Sequence, residues 1–215
     1  MDEFIDKYYN LLTKEYAGIN LTRITNYEDF KLKQIADSIE PQYQSSYFSQ
    51  AMQEYGVHVD VGFGGGFPIL PLAYINSKIR FIGIESRAKK VKVVNEIAQK
   101  LGLKNVKCFH MRIENLLFNQ SVSVSFKAVG KVNDFLSKLN ADTEIKVFFY
   151  KGPNFYQVEQ EQLKSATKDW ELVEEKEIKL QGIEKRYIFG FKNKTVLRRT
   201  QDKTTNNLVK LSQLI

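Results

Sequence analysis

Short apolar runs alternate with longer stretches of helical periodicity through the middle of this 215-residue chain. Alternation of this kind is typical of βαβ units, in which a crossover helix makes successive strands parallel. Two further runs flank Gly182 and predict an antiparallel strand pair at one edge of the sheet. The sequence therefore predicts an α/β fold with a mixed seven-stranded sheet. The predicted strands cover residues 57–61, 79–84, 106–110, 122–129, 145–150, 170–180 and 185–191.

The segments outside these strands divide the chain into three parts. Apolar residues recur at helical spacing in 2–16 and 27–39, which predicts two amphipathic helices. We therefore expect an N-terminal helical cap over residues 1–50 and a core over residues 51–192. Residues 193–215 are polar and basic, and we expect a loose helix or a disordered tail there.

Composition excludes several classes of protein. Cys108 is the single cysteine, so an internal disulfide and a Cys-rich zinc site are both excluded. The longest apolar stretches are well below the ~18 residues of a membrane span, and the first residues, MDEFIDKYY, are acidic rather than basic. These features predict a soluble, unprocessed cytoplasmic protein without a metal centre, and we expect a monomer.

Four glycines follow directly after the first predicted strand, in VHVDVGFGGGFPILPLAY at 57–74. Inside a regular element, each glycine lowers stability by roughly 0.5–1 kcal/mol relative to alanine. A run of four therefore indicates that the backbone must be free of side chains there, either for a tight turn or for a ligand. A loop at this place in an open α/β sheet lies where such sheets bind ligands. The dinucleotide pattern fails because Phe67 stands at its third glycine, and the phosphate-loop pattern fails because Gly-Lys-Ser/Thr is missing.

The spacing Asp60-x-Gly62-x-Gly64-x-Gly66 resembles the first motif of class I S-adenosylmethionine-dependent methyltransferases, which have a Rossmann-like fold. Glu85 ends the second predicted strand, at the position where an acidic residue holds a ribose in nucleotide-binding sheets. A glutamate after a strand is also often simply solvated. Following a glycine motif, we expect its two oxygens to accept hydrogen bonds from both ribose hydroxyls.

Several ordered stretches together resemble the RsmG family, also called GidB. They are INLTRITNYEDFKLKQIADSI (19–39), VDVGFGGGFPILPLAY (59–74), IESRAKKVKVV (84–94), MRIENL (111–116), FKAV (126–129) and FYKGP (149–153). The resemblance implies a methyltransferase that uses S-adenosyl-L-methionine to methylate N7 of a guanine in 16S ribosomal RNA, on the RNA itself or in the small subunit. The cofactor positions that it carries over are Gly62, Phe67, Ile113, Glu114 and Lys127.

The sequence lacks residues that other kinds of methyl transfer require, which agrees with transfer to guanine N7. Cys108 lies inside an apolar strand, where a thiol is ordinarily inert, so methylation at C5 of a pyrimidine is disfavoured. The segment GPNF (152–155) does not match the clamp of enzymes that methylate exocyclic amines. Guanine N7 carries a lone pair and no proton, so positioning and electrostatics suffice. We therefore expect no general base and assign no catalytic residue.

Basic residues concentrate in one segment of the chain. Residues 78–112 contain ten Lys and Arg against Glu85 and Glu96, in a chain of net charge +7. Such a run is often a solvated helix face, but beside a ligand loop it favours a polyanionic partner. The predicted RNA contacts are Arg87, Lys89, Lys90, Lys92, Lys151 and Arg186. Two alternatives remain open: a methyltransferase for another substrate, and a non-catalytic cofactor-binding RNA chaperone or regulator.

Overall fold

The computed structural model describes residues 1–166, 168–194, 196–197 and 208–215. The α-helices are α1 (Asp2–Asn10), α2 (Tyr27–Phe30), α3 (Asp37–Gln44), α4 (Ser46–Tyr55), α5 (Ile69–Ile75), α6 (Ala88–Lys100), α7 (Val132–Leu136) and α8 (Phe155–Ala166). The strands are β1 (Val57–Val61), β2 (Arg80–Glu85), β3 (Val106–His110), β4 (Leu116–Phe118), β5 (Val122–Lys127), β6 (Asn140–Ala141), β7 (Ile145–Lys151), β8 (Trp170–Ile178), β9 (Arg186–Asn193) and β10 (Val209–Lys210).

The main sheet has seven strands in the order β3-β2-β1-β5-β7-β9-β8. The first five pair in parallel, whereas β9 runs antiparallel to both β7 and β8. After β3 the chain returns to the centre of the sheet, so the strand order reverses between β1 and β5 and opens a crevice at their carboxyl ends. This is the class I methyltransferase arrangement, and it confirms the predicted mixed seven-stranded sheet.

Helices cover both faces of the sheet. One apolar cluster joins α5 and α6 to aromatic residues of the N-terminal helices, including Phe4, Tyr8, Phe30 and Phe48. The second cluster lies on the opposite face and includes residues of α7 and α8. The N-terminal helices are thus part of a buried core, and one end of that core lies against the loop after β1.

The N-terminal region contains more helix than the sequence analysis predicted. The second helical segment continues past residue 39, through Pro41, to Gln44, and α4 follows at once. Local signals for α4 were present, because Ser45 caps its N-terminus by accepting from Phe48 N at 2.9 Å and Gly56 ends it with a φ of 64°. The polar composition of 42–50 concealed this helix.

A small second sheet, in the order β10-β4-β6, was also not predicted. It includes part of the C-terminal segment, which we had expected to be a loose helix or disordered. Residues 209–210 pair with β4, Leu211 is fully buried, and Leu197 bridges to Ala141. The middle of that segment, 198–207, lies outside the described residues. None of the helices in the described ranges is long and apolar enough to cross a bilayer.

Candidate functional site

The loop after β1 begins with Gly62, which needs to be a glycine. Its φ is +74°, and a Cβ atom there would lie 2.8 Å from Val129 Cγ1. Its N–H donates to Ile84 O at 2.8 Å, which holds the loop against β2. The loop backbone therefore lies close to the segment after β5, at the crevice between β1 and β5.

The second half of the glycine run lies against the N-terminal helices. A Cβ on Gly65 would lie 2.6 Å from the backbone oxygen of Leu21, and one on Gly66 would lie 2.5 Å from Tyr8 Oη. Tyr8 Oη in turn donates to Gly65 O at 2.6 Å. These glycines are required for close packing of the N-terminal helices, a role that the sequence analysis did not recognise.

Phe67 also belongs to this packing. Its ring stacks on Tyr8 at a centroid distance of 5.0 Å and meets the edge of Phe30 at 5.8 Å. The predicted cofactor contacts Gly66 and Phe67 therefore face the N-terminal helices, because the loop has a second partner besides any ligand. Gly64 has a φ of +57° and no neighbour closer than 3.9 Å to a Cβ placed there.

A first cleft of about 400 Å³ opens at the carboxyl ends of β1 and β2. It brings together four of the predicted cofactor residues: Gly62, Glu85, Ile113 and Glu114. Glu85 lies at the end of β2, and its Oε1 accepts from the backbone N–H of Arg87 at 3.1 Å. This bond orients the carboxylate at the cleft wall. We refer to this space as the cofactor cleft.

Asp60 lies fully buried at the carboxyl end of β1, two residues before Gly62. Its Oδ1 accepts from Ser125 Oγ at 2.7 Å, whereas its Oδ2 has no hydrogen-bond partner within the described part of the chain. Burial raises the pKa of Asp60 to about 7, while Ser125 and the nearby backbone of Ile69 act in the opposite direction. Asp60 does not line the cofactor cleft among the described residues, so the structure does not bring its carboxylate together with Glu85 and Glu114 on the cleft wall.

A polar chain continues from Asp60 into the sheet. His58 Nε2 lies 2.8 Å from Ser125 Oγ, and His58 Nδ1 lies 2.8 Å from Ser123 Oγ. Burial lowers the pKa of His58 to about 3, so the ring is neutral. The two serines thus satisfy a neutral histidine inside the core, and His58 has no exposed edge.

A second cleft, of about 520 Å³, lies on the other side of the segment after β5. Lys127 and Ala128 line this cleft, whereas Val129 and Gly130 line the cofactor cleft. Ala128 has a φ of 53°, a left-handed conformation that costs about 1–2 kcal/mol for a residue with a Cβ. Residues 127–130 therefore form a shared wall between two clefts. We refer to the second space as the acceptor cleft.

Asp37 of α3 joins three parts of the chain in the acceptor cleft. Its Oδ2 lies 2.8 Å from Lys127 Nζ at the end of β5, and its Oδ1 lies 3.2 Å from Arg186 Nε at the start of β9. Lys127, which was predicted to contact the cofactor, thus lies in the neighbouring cleft, paired with a residue of the N-terminal helices. Sequence reasoning missed Asp37 because Arg186 is 149 residues away along the chain.

Lys151 is not an exposed cation, contrary to its prediction as an RNA contact. Its Nζ donates to Gly130 O at 2.9 Å and to the two carboxylate oxygens of Glu159 at 2.8 and 3.1 Å. These bonds use all three N–H groups of the ammonium. Glu159 Oε2 also accepts from Val132 N, so this buried ion pair fixes the segment that follows β5.

The basic start of α6 lies beside the cofactor cleft. Arg87, Lys89 and Lys92 are exposed, and Lys90 is half-buried. Arg87 and Lys90 also line the cofactor cleft itself. Of the RNA contacts predicted in this region, Lys89 and Lys92 are therefore the two that are exposed and line neither cleft. Among the described residues, no cluster of three or more His, Cys, Asp or Glu side chains could hold a metal ion.

The family model for GidB, described as rRNA small subunit methyltransferase G, matches residues 1–188. The chain belongs to the GidB family. Ribosomal RNA small subunit methyltransferase G of Clostridium botulinum (strain Alaska E43 / Type E3) is 36% identical over 119 residues, which cover 55% of this chain and 48% of that protein. The Streptococcus pyogenes serotype M6 protein of the same name is 34% identical over 127 residues, covering 59% and 52%. This GidB chain spans about half the length of these curated relatives.

Solved structures that resemble this GidB chain are more distant in sequence. The crystal structure of M. jannaschii TYW2 in complex with AdoMet superimposes with a TM-score of 0.46 at 19% identity, and the match covers 69% of this chain and 77% of that chain. A SAM dependent methyltransferase from Aquifex aeolicus gives a TM-score of 0.47 at 21% identity, with coverage of 72% and 92%.

Proposed function

We propose that this chain transfers the methyl group of S-adenosyl-L-methionine to N7 of a guanine in 16S ribosomal RNA, in the cytoplasm. The observation that carries the proposal is the shared wall at residues 127–130, which separates two clefts by the thickness of one chain segment. Two reactants bound on either side of this wall would meet at its rim. Membership of the GidB family supports both the reaction and the RNA substrate.

The residues of the cofactor cleft fit S-adenosylmethionine. Glu85 offers a carboxylate at the end of β2 for the ribose hydroxyls, and Ile113 offers an apolar surface for the adenine. Gly62 lies on the wall of this cleft, where its backbone is bare towards the segment after β5. The cofactor supplies a methyl group activated by a sulfonium ion.

The chain's own task is to position the acceptor. Guanine N7 attacks with its lone pair and loses no proton, so a general base has no role in the transfer. The acceptor cleft offers cations at Lys33, Lys127 and Arg186 for the nucleotide, and Tyr150 and Pro41 contribute apolar surface. Such a site accelerates the reaction by holding two reactants in line and by excluding water.

Small ribosomal subunits reconstituted with 7-deazaguanine at the target position test the proposal. The analogue keeps the Watson–Crick edge but has carbon in place of N7. We expect labelled methyl groups to enter guanine-containing subunits and not the analogue, while both compete equally for binding, because phosphate contacts supply most of the affinity.

Three results would contradict the proposal in different ways. Methylation of the analogue at the normal rate would mean that another atom is the acceptor. Cofactor binding without transfer to any RNA would favour the non-catalytic regulator, and transfer to a small molecule or protein would favour the other enzyme class.

A further inference from the structure

Asp37 forms two ion pairs and also faces a cleft, which a purely structural ion pair does not require. Its side chain is only 11% exposed, yet it lines the acceptor cleft. Each carboxylate oxygen accepts one cation, Lys127 on Oδ2 and Arg186 on Oδ1. A carboxylate has about four acceptor positions, so both oxygens retain capacity towards the cleft. The two cations come from different strands and hold the carboxylate in one orientation.

Lys127 and Asp37 together present a fixed pattern of hydrogen-bonding groups. The ammonium of Lys127 is a donor, and it lies 2.8 Å from Oδ2 of a group with two acceptor oxygens. The order is therefore donor, acceptor, acceptor. The Watson–Crick edge of guanine presents the complement, with O6 as an acceptor followed by N1–H and the 2-amino group as donors.

We propose that Asp37 and Lys127 recognise the Watson–Crick edge of the acceptor guanine. Asp37 accepts from N1–H and from the 2-amino group, and Lys127 donates to O6. This inference rests on the proposed function and adds to it the groups that select guanine. In this orientation N7, which lies on the other edge of the base, takes no part in recognition and remains available for methyl transfer.

The same contact would discriminate against adenine. Adenine has an acceptor at N1 and a donor at N6, so its edge would place an acceptor against the carboxylate and a donor against the ammonium. A site built for one hydrogen-bond pattern rejects a base that leaves its buried polar groups unpaired. Transfer to N7 also makes the purine cationic, so the attraction to Asp37 grows in the transition state.

Inosine at the target position tests this inference, because inosine keeps N7, O6 and N1–H but lacks the 2-amino group. Reconstituted small subunits carrying guanosine or inosine at that position are compared by kcat/KM for methyl transfer. We expect the wild-type protein to lose about tenfold or more with inosine, the cost of one hydrogen bond to a charged group. In Asp37→Asn we expect a lower rate with guanosine and a guanosine-to-inosine ratio reduced to within about threefold.

Glu184→Gln is the matched control. Glu184 is an exposed acidic residue of the same cleft, and its substitution removes the same charge. We expect this variant to keep the wild-type ratio. Because each ratio is taken within one protein, a general loss of stability or of RNA binding cancels.

Two results would overturn the inference while leaving the proposed function intact. One is a wild-type protein that methylates inosine as well as guanosine, which decides the matter even if Asp37→Asn does not fold. The other is an Asp37→Asn protein that keeps the wild-type ratio, which would show that Asp37 only holds Lys127 and Arg186 in place. Failure of the wild-type protein to methylate either base would instead overturn the proposed function.

Discussion

The two clefts are assembled in different ways, although one chain segment separates them. Within the described ranges, the cofactor cleft is lined only by residues between Val61 and Lys138, and they follow successive strands of one half of the sheet. The acceptor cleft combines the N-terminal helices with the ends of β5, β7, β8 and β9, from Ile24 to Tyr187. The cofactor cleft is thus formed by loops that follow neighbouring strands. The acceptor cleft forms only when elements that are distant along the chain have packed together.

Docking of the N-terminal helices is therefore the step on which the acceptor cleft depends. Two sets of contacts dock these helices. Tyr8 stacks on Phe67 and donates to Gly65 O, and Tyr150, which lines the acceptor cleft, donates from its Oη to Ser38 O at 3.1 Å. Asp37, one residue before Ser38, is positioned by the same docking. A change that displaces these helices should affect the acceptor cleft more than the cofactor cleft.

Gly65→Ala should produce the largest effect that separates the two clefts. The added Cβ would lie 2.6 Å from Leu21 O, a backbone atom that cannot rotate away. We expect the free energy of unfolding to fall by about 3 kcal/mol, the upper range for overpacking. Methyl transfer to small subunits should fall further than cofactor affinity, as measured by calorimetry beside the transfer assay.

Gly64→Ala is the control for this experiment. It lies in the same loop, and its φ of +57° is also unfavourable for alanine, but nothing lies closer than 3.9 Å to the new atom. We expect a cost of about 1–2 kcal/mol. If Gly64→Ala and Gly65→Ala reduce RNA methylation and cofactor affinity in the same proportion, the two clefts are not assembled independently.

The contrast also explains what could be predicted from the sequence. Gly62, Glu85 and Ile113 each follow a predicted strand, and carboxyl ends of parallel strands meet at one edge, so their meeting could be expected. Asp37 resembles any helical carboxylate, because its role depends on partners from β5 and β9. Lys151 resembles a cation at a strand end, and only the packing of α8 shows that Glu159 neutralises it.

The glycine run also contains positions whose contacts could not be predicted from the sequence. Its spacing indicated a ligand loop, and Gly62 lies on the cleft wall. Spacing does not show which side of a loop a second element will approach, so the contacts of Gly65 and Gly66 with the N-terminal helices could not be predicted. The division of the chain at residues 50 and 192, and the monomeric state, remain predictions.

Asp60→Asn tests the buried end of β1, beside the cofactor cleft. Burial raises the pKa of Asp60 from 3.8 to about 7, so the folded state binds a proton that the unfolded state lacks between these values. Stability from this group is therefore lost as the pH rises from about 4 to 7. Asparagine removes the loss, and we expect the variant to be more stable than wild type above pH 7 by up to about 4 kcal/mol, because each pKa unit corresponds to about 1.4 kcal/mol.

Below about pH 4 the stability difference between Asp60→Asn and wild type should disappear. His58 has the opposite dependence, since its pKa is lowered to about 3 and the unfolded state takes up the proton first as the pH falls. His58 is present in both proteins, so it cancels in the difference. A difference in stability that is constant with pH would show that Asp60 is charged in the folded protein.

The smallest effect concerns the basic surface of α6, which lies beside the cofactor cleft. Lys89 and Lys92 are exposed on α6, and substitution of both by glutamine should reduce the slope of log affinity for small-subunit RNA against log salt by about two units, if each lysine contacts one phosphate. The matched control is Lys78→Gln with Lys104→Gln. These exposed lysines precede β2 and β3 and so lie at the opposite edge of the sheet, and they should leave the slope unchanged. Equal slopes for both double variants would mean that the RNA does not lie along α6. The nucleotide would then reach the acceptor cleft along another surface, such as the one at the start of β9, where Arg186 lines the cleft.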